Sequence, residues 1–204
     1  MPPKAKFTKE EIVSAALGIV RADGFSALTA RALGTKLASS ARPIFTVFKS
    51  MEEVQQEVIK AAKACYKKYV QTGLAQVPAF KGVGMQYIEF ASKEAKLFQL
   101  LFMTEQTGVM TEQTGIMTEQ TGSPDVKEVL PLIEENYTQI RSALQQAYAL
   151  DDTETDRLYR HLWVYTHGLA VLCATKMCSF SKVTISEMLT EIFTGQLKEI
   201  KAGR

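Results

Sequence analysis

Two histidines, three cysteines and one tryptophan occur in 204 residues, so few side chains here suit metal binding or nucleophilic attack. His161 and His167 are six apart on one predicted helix. They point in different directions and make no i,i+4 metal pair. Cys173 and Cys178 are five apart, a spacing that helical geometry does not favour for a bridge. With Cys65 they read as small core residues. An odd cysteine count without a CxxC pair points to a reducing cytosol. No P-loop, GxGxxG or GxSxG occurs, so neither an enzyme nor a metal or cofactor is expected. The remaining chemistry lies between Thr29 and Lys49. Ser40, Ala41, Arg42, Pro43 and Thr46 combine small, polar and cationic groups, and an arginine fork matches O6 and N7 of guanine. Thr29, Arg31 and Lys49 are of the types that hold phosphates.

Those residues need helices to place them. Thr29 is spaced to cap one short helix, with Leu28 and Leu33 as a hydrophobic staple. Ala38-Ser39-Ser40 breaks the pattern. If Ser40 caps a second helix, Pro43 falls at its third position, where a missing N–H removes no helical bond. Ile44, Phe45 and Phe48 then serve as apolar anchors. Two short helices so joined fit a helix-turn-helix.

The flanks extend this unit. Thr8 to Glu11 reads as a capping box, with Phe7 and Ile12 as a staple. A helical stripe runs through Ile12, Ala16 and Val20 to Gly24, its expected end. Ser50 to Glu53 reads as a second capping box, opening a long helix that ends near Gly73. Residues 1–50 carry eight Lys/Arg and three Asp/Glu, a net +5, whereas residues 51–204 carry 16 and 19, a net −3. A basic end on an acidic body is the asymmetry expected where one end meets phosphate.

The run from Thr8 to Val54, with IVSAALGIVRADGFSALTARALGTKLASS followed by PIFTVFKSMEEV, resembles the DNA-binding domain of the TetR/AcrR family of bacterial transcriptional regulators. Three positions depart from the family pattern. Ala38 replaces the usual turn glycine, Phe45 the usual tyrosine with its phosphate-binding hydroxyl, and Met51 the usual lysine. More of the grip therefore falls on Arg42, Thr46 and Lys49.

Farther along, a helix is expected from Met85 through Phe98 to Phe102. MTEQTG then occurs three times between 103 and 122, with a period of seven. The repeats fit neither a solenoid nor a coiled coil. They are expected to be helical at least in part and carry no chemistry. Ser123-Pro124 is expected to start the next helix, which runs to Leu150 with a kink or break at Pro131. Another helix is expected from Thr153 to about Ser179. Its WVYTHG segment resembles the Trp/His/Gly signature of one class of TetR-type ligand domains. Thr184 to Glu187 reads as a third capping box before a final stripe. Leu162 to Phe180 is apolar but includes His167 and Lys176, so it reads as a buried helix and no membrane span is expected. MPPKAKF lacks the apolar core of a signal peptide.

These readings give an all-α chain of about nine helices. Residues 1–50 form a three-helix helix-turn-helix domain; residues 51–204 form a helical domain for effector binding and dimerisation. The resemblance implies a bacterial cytoplasmic protein, a ligand-responsive repressor acting as a homodimer on a palindromic operator. Thr29, Arg31, Ser40, Ala41, Arg42, Pro43, Phe45, Thr46 and Lys49 would meet DNA. An apolar or aromatic small-molecule effector is expected among Met85, Phe90, Phe98, Phe102, Tyr137, Trp163 and His167. Leu169, Leu172, Met188, Leu189, Ile192 and Phe193 are the expected dimer contacts. Two alternatives stand beside this reading: a helical small-molecule-binding protein or enzyme, and a DNA-binding protein without an effector.

Overall fold

Capping chemistry sets where the chain turns helical. In a computed structural model, which describes residues 6–103 and 137–203, the Thr8 hydroxyl accepts from the Glu11 N–H and the Glu11 carboxylate accepts from the Thr8 N–H, the expected reciprocal box. Helix α1 follows over Lys9–Asp23 and stops at Gly24, whose φ of 91° is a conformation glycine adopts readily. Thr29 accepts from the Ala32 N–H to open α2, Ala30–Lys36. The remaining α-helices among the described residues are α3 Met51–Leu74, α4 Ala79–Lys93, α5 Ala95–Phe102, α6 Tyr137–Tyr148, α7 Asp152–Ala174 and α8 Lys182–Ala202. No strand occurs among them, so the fold class is all-α. None of these helices is long and apolar enough to cross a membrane. The MTEQTG repeats from Thr104 onward, the Ser123-Pro124 start and Pro131 lie outside the described residues.

Several sequence expectations need correction. The helix expected to start at Ser40 is a single 3-10 turn, Ile44–Thr46. The Ser39 N–H is bonded to the Gly34 carbonyl, and a Cβ at Gly34 would lie 3.0 Å from Ala41 N. Ser39–Ala41 thus lies against α2, and turning begins only where the Ala41 carbonyl accepts from the Ile44 N–H. Ile44 and Phe48 are buried, but the expected anchor Phe45 is 46% exposed. The Ser50 box is not reciprocal: Ser50 accepts from Glu53, whose carboxylate instead accepts from the Lys49 N–H. The third box is displaced, because Ser181 caps α8 by accepting from the Thr184 N–H. Helix α7 is capped by Asp151 in a reciprocal box with Glu154 and ends at Ala174, short of Ser179.

The stretch expected as one helix from Met85 to Phe102 is two. Glu94 leaves helical geometry between α4 and α5, at φ −118° and ψ 44°. Its carboxylate takes both Nε and a terminal nitrogen of Arg21, at 2.9 and 3.0 Å. This two-point contact fixes the break to α1.

By packing, the chain forms two compact units, Met1–Lys68 with Phe90–Glu105, and Tyr69–Glu89 with Gln106–Arg204. The division by packing falls inside α3, and α4 is likewise shared between the units. In the first unit α1 packs on α2 and α5. Tyr66, Phe90, Phe98 and Phe102 fill its interior with ring centroids 5.1–6.4 Å apart. In the second, α7 packs on both α6 and α8. Phe80 stacks on Phe193 at 4.3 Å, and Tyr148 meets Phe193 at 4.9 Å. Gly73 permits the close approach of α3 to α4, since a Cβ there would lie 2.6 Å from Val83 Cα.

Candidate functional site

The segment following α2 presents its polar groups outward. Thr29, Arg31, Ser40, Arg42, Thr46 and Lys49 are exposed; Ala41 and Pro43 are half-buried. Some basic residues of this unit are held by acidic partners and others are not. Lys9 pairs with Glu57 at 3.2 Å and sits over the Phe48 ring, and Arg21 is held by Glu94. Arg31, Arg42 and Lys49 make no ion pair among the described residues. The local positive charge is thus partly spent on structure, while these three cations stand without an ion pair on α2 and the segment after it. Two hydroxyls are already engaged: Thr29 caps α2, and Thr46 donates to the Pro43 carbonyl at 2.7 Å. Ala38 takes φ +49°, the left-handed turn conformation that favours glycine.

The second unit contains a cavity of about 60 Å³. Phe80, Val83, Gly84 and Tyr87 line it from α4; Ile140 and Leu144 from α6; Tyr159, Leu162, Trp163 and Thr166 from α7. The spacings of three and four residues place each set on one helical face. A reading of these faces could have found the set. It was obscured because aromatic residues at helical spacing serve filled cores equally well.

Of the seven expected effector residues, Trp163 alone lines this cavity. His167 stacks on it, with ring centroids 4.9 Å apart and planes 7° from parallel. His167 Nδ1 and the Tyr87 hydroxyl are hydrogen-bonded at 2.9 Å. Burial pushes the His167 imidazole below its ordinary pKa of 6.5, toward the neutral form. The WVYTHG segment therefore places Trp163 in the cavity wall with His167 stacked on it. Tyr137 stands one layer back, edge-on to Tyr159 at 4.9 Å. Its hydroxyl donates to Asp156, which also accepts from Arg141 at 2.8 Å. Burial, followed by the Asp156 hydrogen bond, raises the Tyr137 pKa. Met85 lies instead in a groove with Gln76, Val77, Pro78, Lys81, Gly82 and Ser186. Phe90, Phe98 and Phe102 belong to the first unit's aromatic interior.

The polar groups at the cavity are few. Thr166 is buried, and its hydroxyl has no hydrogen bond among the described residues. The Trp163 indole Nε1–H is shut off from solvent and has no acceptor among the described residues. No group of three or more His, Cys, Asp or Glu that could hold a metal ion occurs among the described residues. His161 is exposed on the other side of α7, in an open groove with Arg160, Val164, Tyr165 and Ile192.

Among the expected dimer contacts, Leu169, Leu189 and Phe193 are buried within the chain. Leu172, Met188 and Ile192 are half-buried. The apolar stripes of α7 and α8 face their own unit first, and the sequence did not separate the inward residues from those at the rim. Comparison with known protein families and with curated proteins finds no match.

Proposed function

We propose that the chain is a sequence-specific DNA-binding transcriptional regulator, a repressor of the TetR/AcrR type rather than an enzyme. The observation that carries this reading is the trio Arg31, Arg42 and Lys49, exposed and without acidic partners, in and beside a short two-element motif capped by Thr29. Free cations so placed suit phosphate contact, and Arg42 has the fork that reads guanine. The recognition element is one short turn, so base contacts fall on few side chains. Dimerisation through α7 and α8 is supported by the half-buried Leu172, Met188 and Ile192 and by Val164, which is 51% exposed. Two copies would read a palindrome. The cavity is the effector site in this reading, and its occupation would bias the helices that carry the DNA-facing segment.

The test is a gel-shift titration of the purified protein on DNA flanking its own gene, at two salt concentrations. The expected outcome is one fragment bound more tightly than random DNA, with affinity falling as salt rises. If no fragment exceeds random DNA at either salt, the regulator reading fails.

A further inference from the structure

Phe45 is 46% exposed, the only aromatic among the exposed large apolar side chains of the described residues. It contributes little to the packing of its own turn, whose buried members are Ile44 and Phe48. The Ile44, Thr46 and Val47 N–H groups bond back to the carbonyls of Ala41, Pro43 and Ile44, each three residues earlier. In so tight a winding, residues three apart share a side. Arg42 and Phe45 are so spaced and both exposed, with Lys49 exposed beyond them. An apolar ring thus stands on the same face as cations that have no ion pair.

A phenyl ring has no donor or acceptor, so it gives neither a phosphate oxygen nor a base edge a hydrogen bond. The proton of the neighbouring Thr46 hydroxyl is committed to the Pro43 carbonyl at 2.7 Å. The major-groove edges of the bases present polar atoms and one apolar group, the C5-methyl of thymine. For a ring held beside a guanine-reading arginine, that methyl is the complementary feature of the groove.

We infer that Phe45 is a specificity-determining residue whose ring packs on a thymine C5-methyl in the major groove. The inference rests on reading the chain as a DNA-binding regulator. A 5-methylcytosine carries the same methyl group, and the test separates the two sources.

The full-length protein is used to select its preferred site from synthetic duplexes with a randomised centre, made without methylated cytosine. The selected duplex is then remade with 2′-deoxyuridine replacing each thymine in turn, which keeps base pairing and removes only the methyl. At one thymine or more, the replacement should weaken binding about fourfold, equivalent to about 0.8 kcal/mol for one buried methyl group. In Phe45→Ala the same replacement should change affinity by less than about twofold. A variant weakened for any other reason would keep the parent's dependence on the methyl. If Phe45→Ala does not fold, Phe45→Gln takes its place. Equal affinity of the parent for every deoxyuridine duplex, or an undiminished dependence in the variant, would overturn the inference. So would affinity that responds only to C5-methylation of the cytosines, which would assign the contact to 5-methylcytosine. If the parent enriches no sequence, the DNA-binding reading fails and the inference with it. If a site is enriched but thymine methyls have no effect, the inference fails alone.

Discussion

The two compact units use aromatic side chains in opposite ways. In the first, Phe90 and Phe98 are fully buried and close on Tyr66 and Phe102. The groups free to act stand outside that filled interior, as unpaired cations on α2 and after it. In the second, Phe80, Tyr87, Tyr159 and Trp163 surround a space. In the proposed reading, the well-filled core supports function on its surface and the imperfectly filled one holds it inside. Residue type does not tell these apart, because phenylalanine at helical spacing serves either.

The strongest test of the contrast is to damage the filled core. Phe98→Ala should cost about 3–5 kcal/mol of stability, read from the urea midpoint at constant slope. A loss below about 1 kcal/mol would mean that this interior is not closed. Next comes the surface of the same unit. Arg42→Ala should weaken binding to the preferred DNA site by about 1–3 kcal/mol. Its stability should stay within about 0.5 kcal/mol of the parent. An unchanged sequence preference would remove Arg42 from base reading.

The second unit has its own signature in pH. Burial lowers the His167 pKa in the folded chain below the ordinary 6.5. The unfolded chain therefore binds a proton first as the solution is acidified. The resulting stability is fully present above about pH 6.5 and is lost as pH falls through the folded value. Its slope is at most one proton, or about 1.4 kcal/mol per pH unit. Chemical denaturation across this range should show a shallower slope in His167→Gln; an unchanged slope would place the titration elsewhere. The smallest effect is expected at Ala38. Ala38→Gly should stabilise the chain by about 0.5 kcal/mol, as relief of left-handed strain outweighs the added freedom of the unfolded chain. A destabilised variant would show that Ala38 sits at φ +49° without cost.

Local signals were legible where a few adjacent residues decide the outcome. Thr8, Thr29 and the stop at Gly24 act through bonds to residues three or four away, and the sequence places them correctly. The helix break at Glu94 was not legible, because its partner Arg21 is 73 residues distant. The same holds for the turn after Ser40. Gly34 lets Ser39–Ala41 lie against α2, and that contact outweighs the helix start written locally around Pro43. At the cavity, Trp163 and His167 stood out through their motif. Phe80, Gly84 and Tyr87 did not, since an inward face next to a void has the same periodicity as one next to a neighbour.

Sharing α3 and α4 between the units has a consequence for anyone who cuts or fuses the gene. A fragment ending at residue 50 or 68 would carry every side chain proposed to meet DNA, yet it would lack Phe90, Phe98 and Phe102, which close the first interior from a later part of the chain. The motif is contiguous in sequence, but the unit supporting it is not. Transplanting the former without the latter would transfer an address without its building.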